Sequence, residues 1–302
     1  MPDKFIVSKN YNNSRFDRWF KEEVINLPNS LIQKLLRKSK VKVNKKKVKS
    51  SFRLTAGDHV FIYNLSNYKP TNLKKKINYL PTKKEKDRLE NFVIHDDDNY
   101  IVINKPRSIA VQSGTNNLKN IVDTLKDTKY FQHSKPYIVH RLDKETSGIF
   151  LIAKNKESAQ FFTSLFRIRK IHKTYLAIVK GKVPNKLKKM EDFLEYHERN
   201  KKSKLKAITF LKVIKSNDKY SLLELNPRTG RKHQLRKQLY MRGFPIIGDS
   251  KYNLYKNKKN KDKVECMLLH SHKIKFMKND KKFGYQAQLD SEFKKKLNLY
   301  FR

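Results

Sequence analysis

The sequence predicts an α+β protein: a small α+β domain, then a larger one on a mixed, mostly antiparallel sheet with flanking helices. Three observations carry that expectation. Two helix-period stripes and short strands fill residues 14–63, and β-rich runs dominate from residue 91. Between them, residues 64–90 are polar, Lys-rich and interrupted by Pro70 and Pro81. At 302 residues the chain is long enough for two domains and a sizeable core.

In the first domain Phe16, Trp19, Phe20 and Val24 fall at i, i+3, i+4 and i+8, which gives a short helix one apolar face. Pro28 ends that helix, and Ser30 is placed to cap the next. In this second helix Leu31, Ile32, Leu35 and Leu36 point inward, leaving Lys34, Arg37, Lys38 and Lys40 facing water. A strand at 41–43, a Lys-rich turn and a strand at 59–63 behind Gly57-Asp58 complete the domain. Residues 64–90 keep neither period and read as a linker.

In the larger domain, 91–302, strands are expected at 92–94, 100–104, 137–140, 149–153, 174–179, 207–214 and 220–225. A helix is expected at 157–167, where Phe161, Phe162, Leu165 and Phe166 make an apolar stripe, and another at 232–241. Residues 185–206 form a charged excursion with little apolar content.

Lysine and arginine number 71 against 28 acidic residues, a formal net charge of +43. Such a charge makes a folded chain repel itself, and a polyanionic partner is the economical explanation, nucleic acid ahead of a membrane surface. A codon bias toward Lys and Asn inflates the number. The lone Cys266 argues against a disulfide framework or a Cys-based zinc site, and its apolar run Cys266-Met267-Leu268-Leu269 assigns it to core packing. No apolar stretch approaches the ~20 residues of a membrane span, and the N-terminus lacks the apolar segment of a secretory signal. A cytoplasmic monomer is expected. There is no Gly-rich dinucleotide loop and no phosphate-cradling Gly-x-x-x-x-Gly-Lys-Ser/Thr, so no cofactor is expected. His270 and His272 share one side of an extended strand, but without further ligands they read as packing or surface residues, and no metal is expected.

The most informative stretch is Tyr137-Ile138-Val139-His140-Arg141-Leu142-Asp143, followed by the polar turn Lys144-Glu145-Thr146-Ser147-Gly148 and a second apolar run. This layout holds a carboxylate at the lip of a sheet, where a strand fixes its position and a loop leaves room for a substrate. Alone, an Asp there is most often a turn or cap residue. Its surroundings change that reading. His-Arg-Leu-Asp-x-x-Thr-Ser-Gly resembles the signature of the RluA-type pseudouridine synthases, RNA-modifying enzymes whose catalytic Asp falls on Asp143. Asp96-Asp97-Asp98-Asn99-Tyr100-Ile101-Val102-Ile103-Asn104-Lys105-Pro106 looks like the family's opening strand, and His172-Lys173-Thr174-Tyr175-Leu176-Ala177-Ile178-Val179-Lys180-Gly181 like its second motif. Thr229-Gly230-Arg231-Lys232-His233-Gln234-Leu235-Arg236, then Gly243-Phe244-Pro245-Ile246-Ile247-Gly248-Asp249, looks like its third. The first domain resembles the S-four-type RNA-binding domain, whose basic second helix and following strand lie on RNA.

The resemblance implies the pseudouridine synthase fold and a cofactor-free isomerisation. The uridine N1–C1′ bond breaks, the uracil rotates, and C5 bonds to C1′. Asp143 would act on the sugar, either attacking C1′ or removing a proton from C2′. A buried carboxylate needs a nearby cation to stay charged, and the family supplies the last Arg of its third motif, here Arg236. Tyr175 would receive the flipped base and could help remove the C5 proton. Arg141, two residues before Asp143 and so on the same strand face, would fill the gap left by the flipped nucleotide, with His140 and Leu142 facing away into the sheet. Arg231 would contact a phosphate, Leu235 would pack near the site, and Lys34, Arg37, Lys38 and Lys40 would bind RNA.

The expected partner is large-subunit ribosomal RNA, and residues 163–178 look RluC-like within the family. The alternatives are an RluD-like synthase with other rRNA targets and a non-catalytic RNA-binding assembly factor, which would be expected to lose Asp143, Tyr175 or Arg236. A DNA-binding protein using basic patches alone explains the charge but none of the motifs.

Overall fold

The computed structural model describes residues 2–70, 80–112, 119–126, 128–132, 134–198, 201–253 and 266–302. The chain divides into two compact units, Met1–Ile77 and Asn78–Arg302.

In the first unit, β1 (Asp3–Ile6) precedes the helix α1 (Phe16–Trp19), which continues as a single wider π-type turn, Phe20–Val24. Then come α2 (Asn29–Arg37), β2 (Val41–Val43) and β3 (His59–Ile62). Phe16, Trp19, Phe20, Ile32, Leu35 and Leu36 are buried together with Val41, Val60 and Ile62. The apolar stripe therefore marks the packing face of both helices. β3 is central, with β1 and β2 antiparallel on its two edges. The strand before residue 14 is not apparent from periodicity: of its four residues three are exposed, so no buried alternation marks it. Ser30 is not the cap. Pro28 occupies that position and Ser30 lies inside the first turn, where Pro28's fixed φ has already set the entry.

The stretch 64–90, expected to be a linker, ends in a helix, α3 (Lys83–Glu90). Thr82 and Glu85 form a reciprocal capping box, which satisfies the amides at the helix start, and the single buried residue Leu89 anchors it. One apolar residue in eight leaves no period to read, so the helix comes from its cap.

The larger unit continues with β4 (Val93–Asp96), β5 (Tyr100–Lys105), α4 (Ile121–Lys126), β6 (Tyr137–Ile138), β7 (Ser147–Ala153) and α5 (Lys156–Arg167). It proceeds through β8 (His172–Lys180), β9 (Lys189–Glu198), β10 (Lys201–Ser216), β11 (Tyr220–Pro227) and α6 (Gln234–Met241). It closes with β12 (Leu269–Lys278), β13 (Lys281–Gln286) and α7 (Ser291–Tyr300). Among the described residues ten strands make one sheet in the order β4-β5-β7-β12-β8-β11-β10-β9, with β13 on β12 and β6 on β7. Every pairing is antiparallel except β7 with β12. The charged excursion at 185–206 is largely the β9–β10 hairpin at the sheet's edge, where Met190 and Leu194 are the buried positions among the described residues, which explains its low apolar content.

One face of the sheet packs on α5, where Phe162 is fully buried edge-on against Tyr100 and Phe276, 5.0 and 5.2 Å between ring centres. Truncating such a ring to alanine costs about 3–5 kcal/mol. Cys266 is exposed, contrary to its expected place in the core. The buried run begins one residue later, at Met267.

Candidate active site

The strand expected at 137–140 stops after Ile138, so Asp143 stands on a loop rather than at a strand end. The reason lies along one edge of β7. There β12 pairs with Ser147 and Gly148, while β6 pairs with Ile152 and Ala153. Between them the Leu151 N–H has no strand opposite and donates instead to Nε2 of His140, 2.9 Å away. His140, wedged against Phe150 and stacked on Phe166, thus stands in for a backbone partner. His140 thus faces the sheet while also bordering the cleft described below, and Leu142, which borders it too, packs in the core. Burial, then the nearby Lys173 charge, pushes the His140 pKa down to about 3, which suits its role as a neutral acceptor.

The loop itself is pinned from below. Lys105 is fully buried, and its ammonium donates to the carbonyl oxygens of Pro106, Ile109 and Lys144 at 2.9, 3.0 and 3.1 Å. Burial lowers its pKa to about 7, against the pull of Glu145 and Asp143. Three carbonyl acceptors use all three N–H groups of a charged lysine and so favour that form. The Thr146 amide then closes a turn onto the Asp143 carbonyl, 3.1 Å away.

Opposite Asp143 stands α6. Its N-terminus is set by Gln234, whose Oε1 accepts from the Thr229 hydroxyl (2.7 Å) and the Arg231 amide (3.0 Å) while Nε2 donates to Thr209 Oγ1 (2.9 Å). His233, just before the helix, takes a left-handed backbone, φ 53° and ψ 32°. One turn on, Arg236 is buried and held by Asp249 through two parallel hydrogen bonds, Nε to Oδ2 at 2.7 Å and NH2 to Oδ1 at 2.8 Å. Its third nitrogen, NH1, reaches Asp143 Oδ2 at 3.3 Å. Burial would raise the Asp249 pKa, but the Arg236 bonds and the Lys251 and Tyr252 amides outweigh it and hold the carboxyl below its ordinary range. Burial likewise works against the Arg236 charge, and Asp249 and Asp143 reverse that, leaving its pKa raised.

Asp143, Arg236 and Tyr175 line one cleft of about 410 Å³, large enough for a nucleoside. Tyr175 lies on β8 between Leu225 of β11 and Ser271 of β12. Burial raises its pKa to about 12, a hydrogen bond with Ser271 opposes this, and the Asp143 charge adds to it. Beside it Lys173 sits over the Phe166 ring at 5.9 Å, and burial lowers its pKa. The lining includes Arg141, Arg167, Arg169, Arg228, Arg231 and Lys232, with Asp143 the acidic group among them. Such a rim attracts a polyanion and holds phosphates. Arg141 is exposed in that lining, and Arg231 is steadied by Nε donating to the Lys206 carbonyl, 3.0 Å away.

The four N-terminal cations belong to the other unit. Lys34, Arg37, Lys38 and Lys40 are exposed along α2 and the turn after it. Sequence reasoning singles out neither Lys105, Asp249 nor His233. Lys105 and Asp249 sit inside quoted motifs, but nothing in a linear string shows that an Asp 13 residues away aims at Arg236. Among the described residues no group of three or more His, Cys, Asp or Glu could hold a metal ion.

Comparison with known proteins places the chain in a class. A family model described as RNA pseudouridylate synthase matches residues 99–240, and the S4 domain model matches residues 27–60. Ribosomal large subunit pseudouridine synthase C of Buchnera aphidicola subsp. Schizaphis graminum is 32% identical over 97% of this chain and 95% of its own length. The protein of that name from Rickettsia conorii is 35% identical over 95% of both. The solved structure titled Human RNA Pseudouridylate Synthase Domain Containing 4 superposes with a TM-score of 0.60 at 25% identity, covering 70% of this chain and 94% of that one. The chain belongs to the RNA pseudouridylate synthase family, joined to an S4 domain, and is an isomerase of that class.

Proposed function

We propose that this enzyme isomerises particular uridines of large-subunit ribosomal RNA to pseudouridine, with Asp143 as the group that acts on the sugar and without a cofactor. The observation that carries the assignment is the Asp143–Arg236 pair, 3.3 Å apart at the cleft that Tyr175 also lines. The rRNA target is supported by the relatives, whose names specify the large subunit and whose alignments span almost the whole chain.

In this reading the target uridine leaves the RNA stack and enters the cleft, its base against Tyr175. Asp143, 3.3 Å from the Arg236 guanidinium, either attacks C1′ as the N1–C1′ bond breaks or takes the C2′ proton. The uracil turns, C5 bonds to C1′ and gives up its proton, N1 takes one up, and a proton taken from C2′ returns there. No atom is gained or lost overall. The cationic rim holds the flanking phosphates, Arg141 fills the space the base vacated, and α2 of the S4 domain with the turn after it adds contacts through Lys34, Arg37, Lys38 and Lys40.

The test is to incubate the purified protein with a large-subunit rRNA transcript and map pseudouridine at nucleotide resolution. Discrete sites are expected with the wild-type protein and none with Asp143→Asn, in chelator as in plain buffer. Tight binding with no conversion by the wild-type protein would replace the enzyme reading with that of an assembly factor.

A further inference from the structure

One imidazole in the cleft takes no part in the chemistry above. His233 has Nδ1 3.0 Å from the Tyr252 hydroxyl and Nε2 3.8 Å from Asp143 Oδ1. Its left-handed backbone is a conformation that non-glycine residues seldom adopt and that is held where the surrounding structure fixes it. The fixing is visible on both sides: Gln234 ties the helix start, and Asp249 holds both Arg236 and the backbone of Tyr252. Burial lowers the His233 pKa, Asp143 opposes this, and Arg236, Lys251 and Lys232 add to it, which favours the neutral ring.

A neutral imidazole carries one N–H. A Tyr252 hydroxyl donating to Nδ1 puts it on Nε2, facing Asp143, whereas the other tautomer would set a lone pair against the carboxylate. At 3.8 Å the two atoms are too far apart to hydrogen-bond and too close for a water in line between them. They can share one atom placed to the side of the line between them instead. An oxygen about 2.8 Å from each would accept from His233 and donate to Asp143 at close to a right angle. A hydroxyl does both at once. Beside C1′, where Asp143 acts, an RNA nucleotide has one free hydroxyl, at C2′, because its 3′ oxygen is esterified.

We propose that His233 binds the 2′-hydroxyl of the target uridine together with Asp143, and so makes the enzyme selective for ribose over deoxyribose at that nucleotide. The assignment rests on the reading of Asp143 given above. Loss of an unpaired buried partner is what makes hydrogen-bonding sites discriminate strongly between a substrate and its deoxy analogue.

The experiment compares two RNA fragments identical except for uridine or 2′-deoxyuridine at one position that the wild-type enzyme converts. Single-turnover rates at subsaturating enzyme give the preference for ribose. His233→Asn keeps a side chain that tolerates left-handed backbone, so the fold survives. It is expected to lower the rate on uridine by roughly tenfold or more and to leave the deoxy fragment little changed, so the preference collapses. Tyr252→Phe, which keeps the ring over Arg236 and removes the hydroxyl, should lose part of the preference. A deoxy fragment that does not turn over is scored as a competitor, by its inhibition constant relative to the parent's KM. An equal loss on both fragments would overturn the proposal and make His233 a structural residue. Failure of the wild-type enzyme to convert any uridine would instead overturn the reading of the site itself.

Discussion

Asp249 holds Arg236 by two hydrogen bonds, so the cation that faces Asp143 cannot be removed without leaving a fully enclosed carboxylate with no opposite charge and only the Lys251 and Tyr252 amides to bond. Breaking such a pair from one side typically costs about 3–5 kcal/mol. Arg236→Ala is therefore expected to lower stability by about 3 kcal/mol as well as activity, and Arg236→Ala with Asp249→Asn to recover part of the stability but none of the activity. In both, the rate at saturating RNA should fall more than binding weakens, because Asp143 has lost the guanidinium it faces at 3.3 Å. Urea midpoints beside single-turnover rates and binding isotherms check this. A loss confined to binding would assign Arg236 to RNA contact alone.

Asp143→Asn keeps the shape of the side chain and deletes its charge. Folding and RNA affinity should stay near wild type while turnover is lost, read by thermal melts, a binding isotherm and pseudouridine yield. Turnover at the wild-type rate would end the assignment.

The S4 domain should act through charge. Replacing Lys34, Arg37, Lys38 and Lys40 with alanine should flatten the log–log salt dependence of rRNA-fragment binding by roughly 3, at ~0.7 per contact on single-stranded RNA. Equal slopes for variant and wild type would mean these residues serve another partner.

Acid sensitivity should pass through His140. The unfolded chain takes a proton on this residue below about 6.5, whereas the folded protein resists it down to about 3. Its contribution is complete above the upper value and is lost as pH falls into that window. Between pH 7.5 and 5.0 the wild type should lose about 2 kcal/mol more than His140→Gln, which cannot titrate. Denaturant curves at the two pH values give the difference, and identical losses would clear His140.

Gly148 has φ +104°, and a Cβ there would lie 2.2 Å from the Ser271 carbonyl oxygen. Gly148→Ala should cost more than about 3 kcal/mol, through backbone strain and the parting of two strands. Gly243→Ala, with φ +80° but open space around the added carbon, should cost only about 1 kcal/mol. Thermal melts of both separate the two causes.

Asp143, Tyr175 and Arg236 are legible in the sequence because each sits in a contiguous motif with many specified neighbours. Strands such as β5 and β8 are legible because they are unbroken apolar runs. What escapes is whatever depends on non-local pairing or on a cap. The end of β6 is set by β12 taking part of the same edge, α3 by one Thr–Glu box, and His233 by a hydroxyl 19 residues away. None of these leaves a period in the chain.

The insertion of β12 between β7 and β8 governs when the protein can become an enzyme. Ser147 and His270, 123 residues apart, touch across that seam, and Asp143 and Tyr175 lie on its two sides. During synthesis both central edges stay open until the ribosome has released the segment that fills them. Such long-range closure is slow and leaves unpaired strands exposed to neighbours. A nascent chain stalled before residue 269 would carry every residue assigned here to chemistry, yet its two half-sites would have nothing to hold them in register.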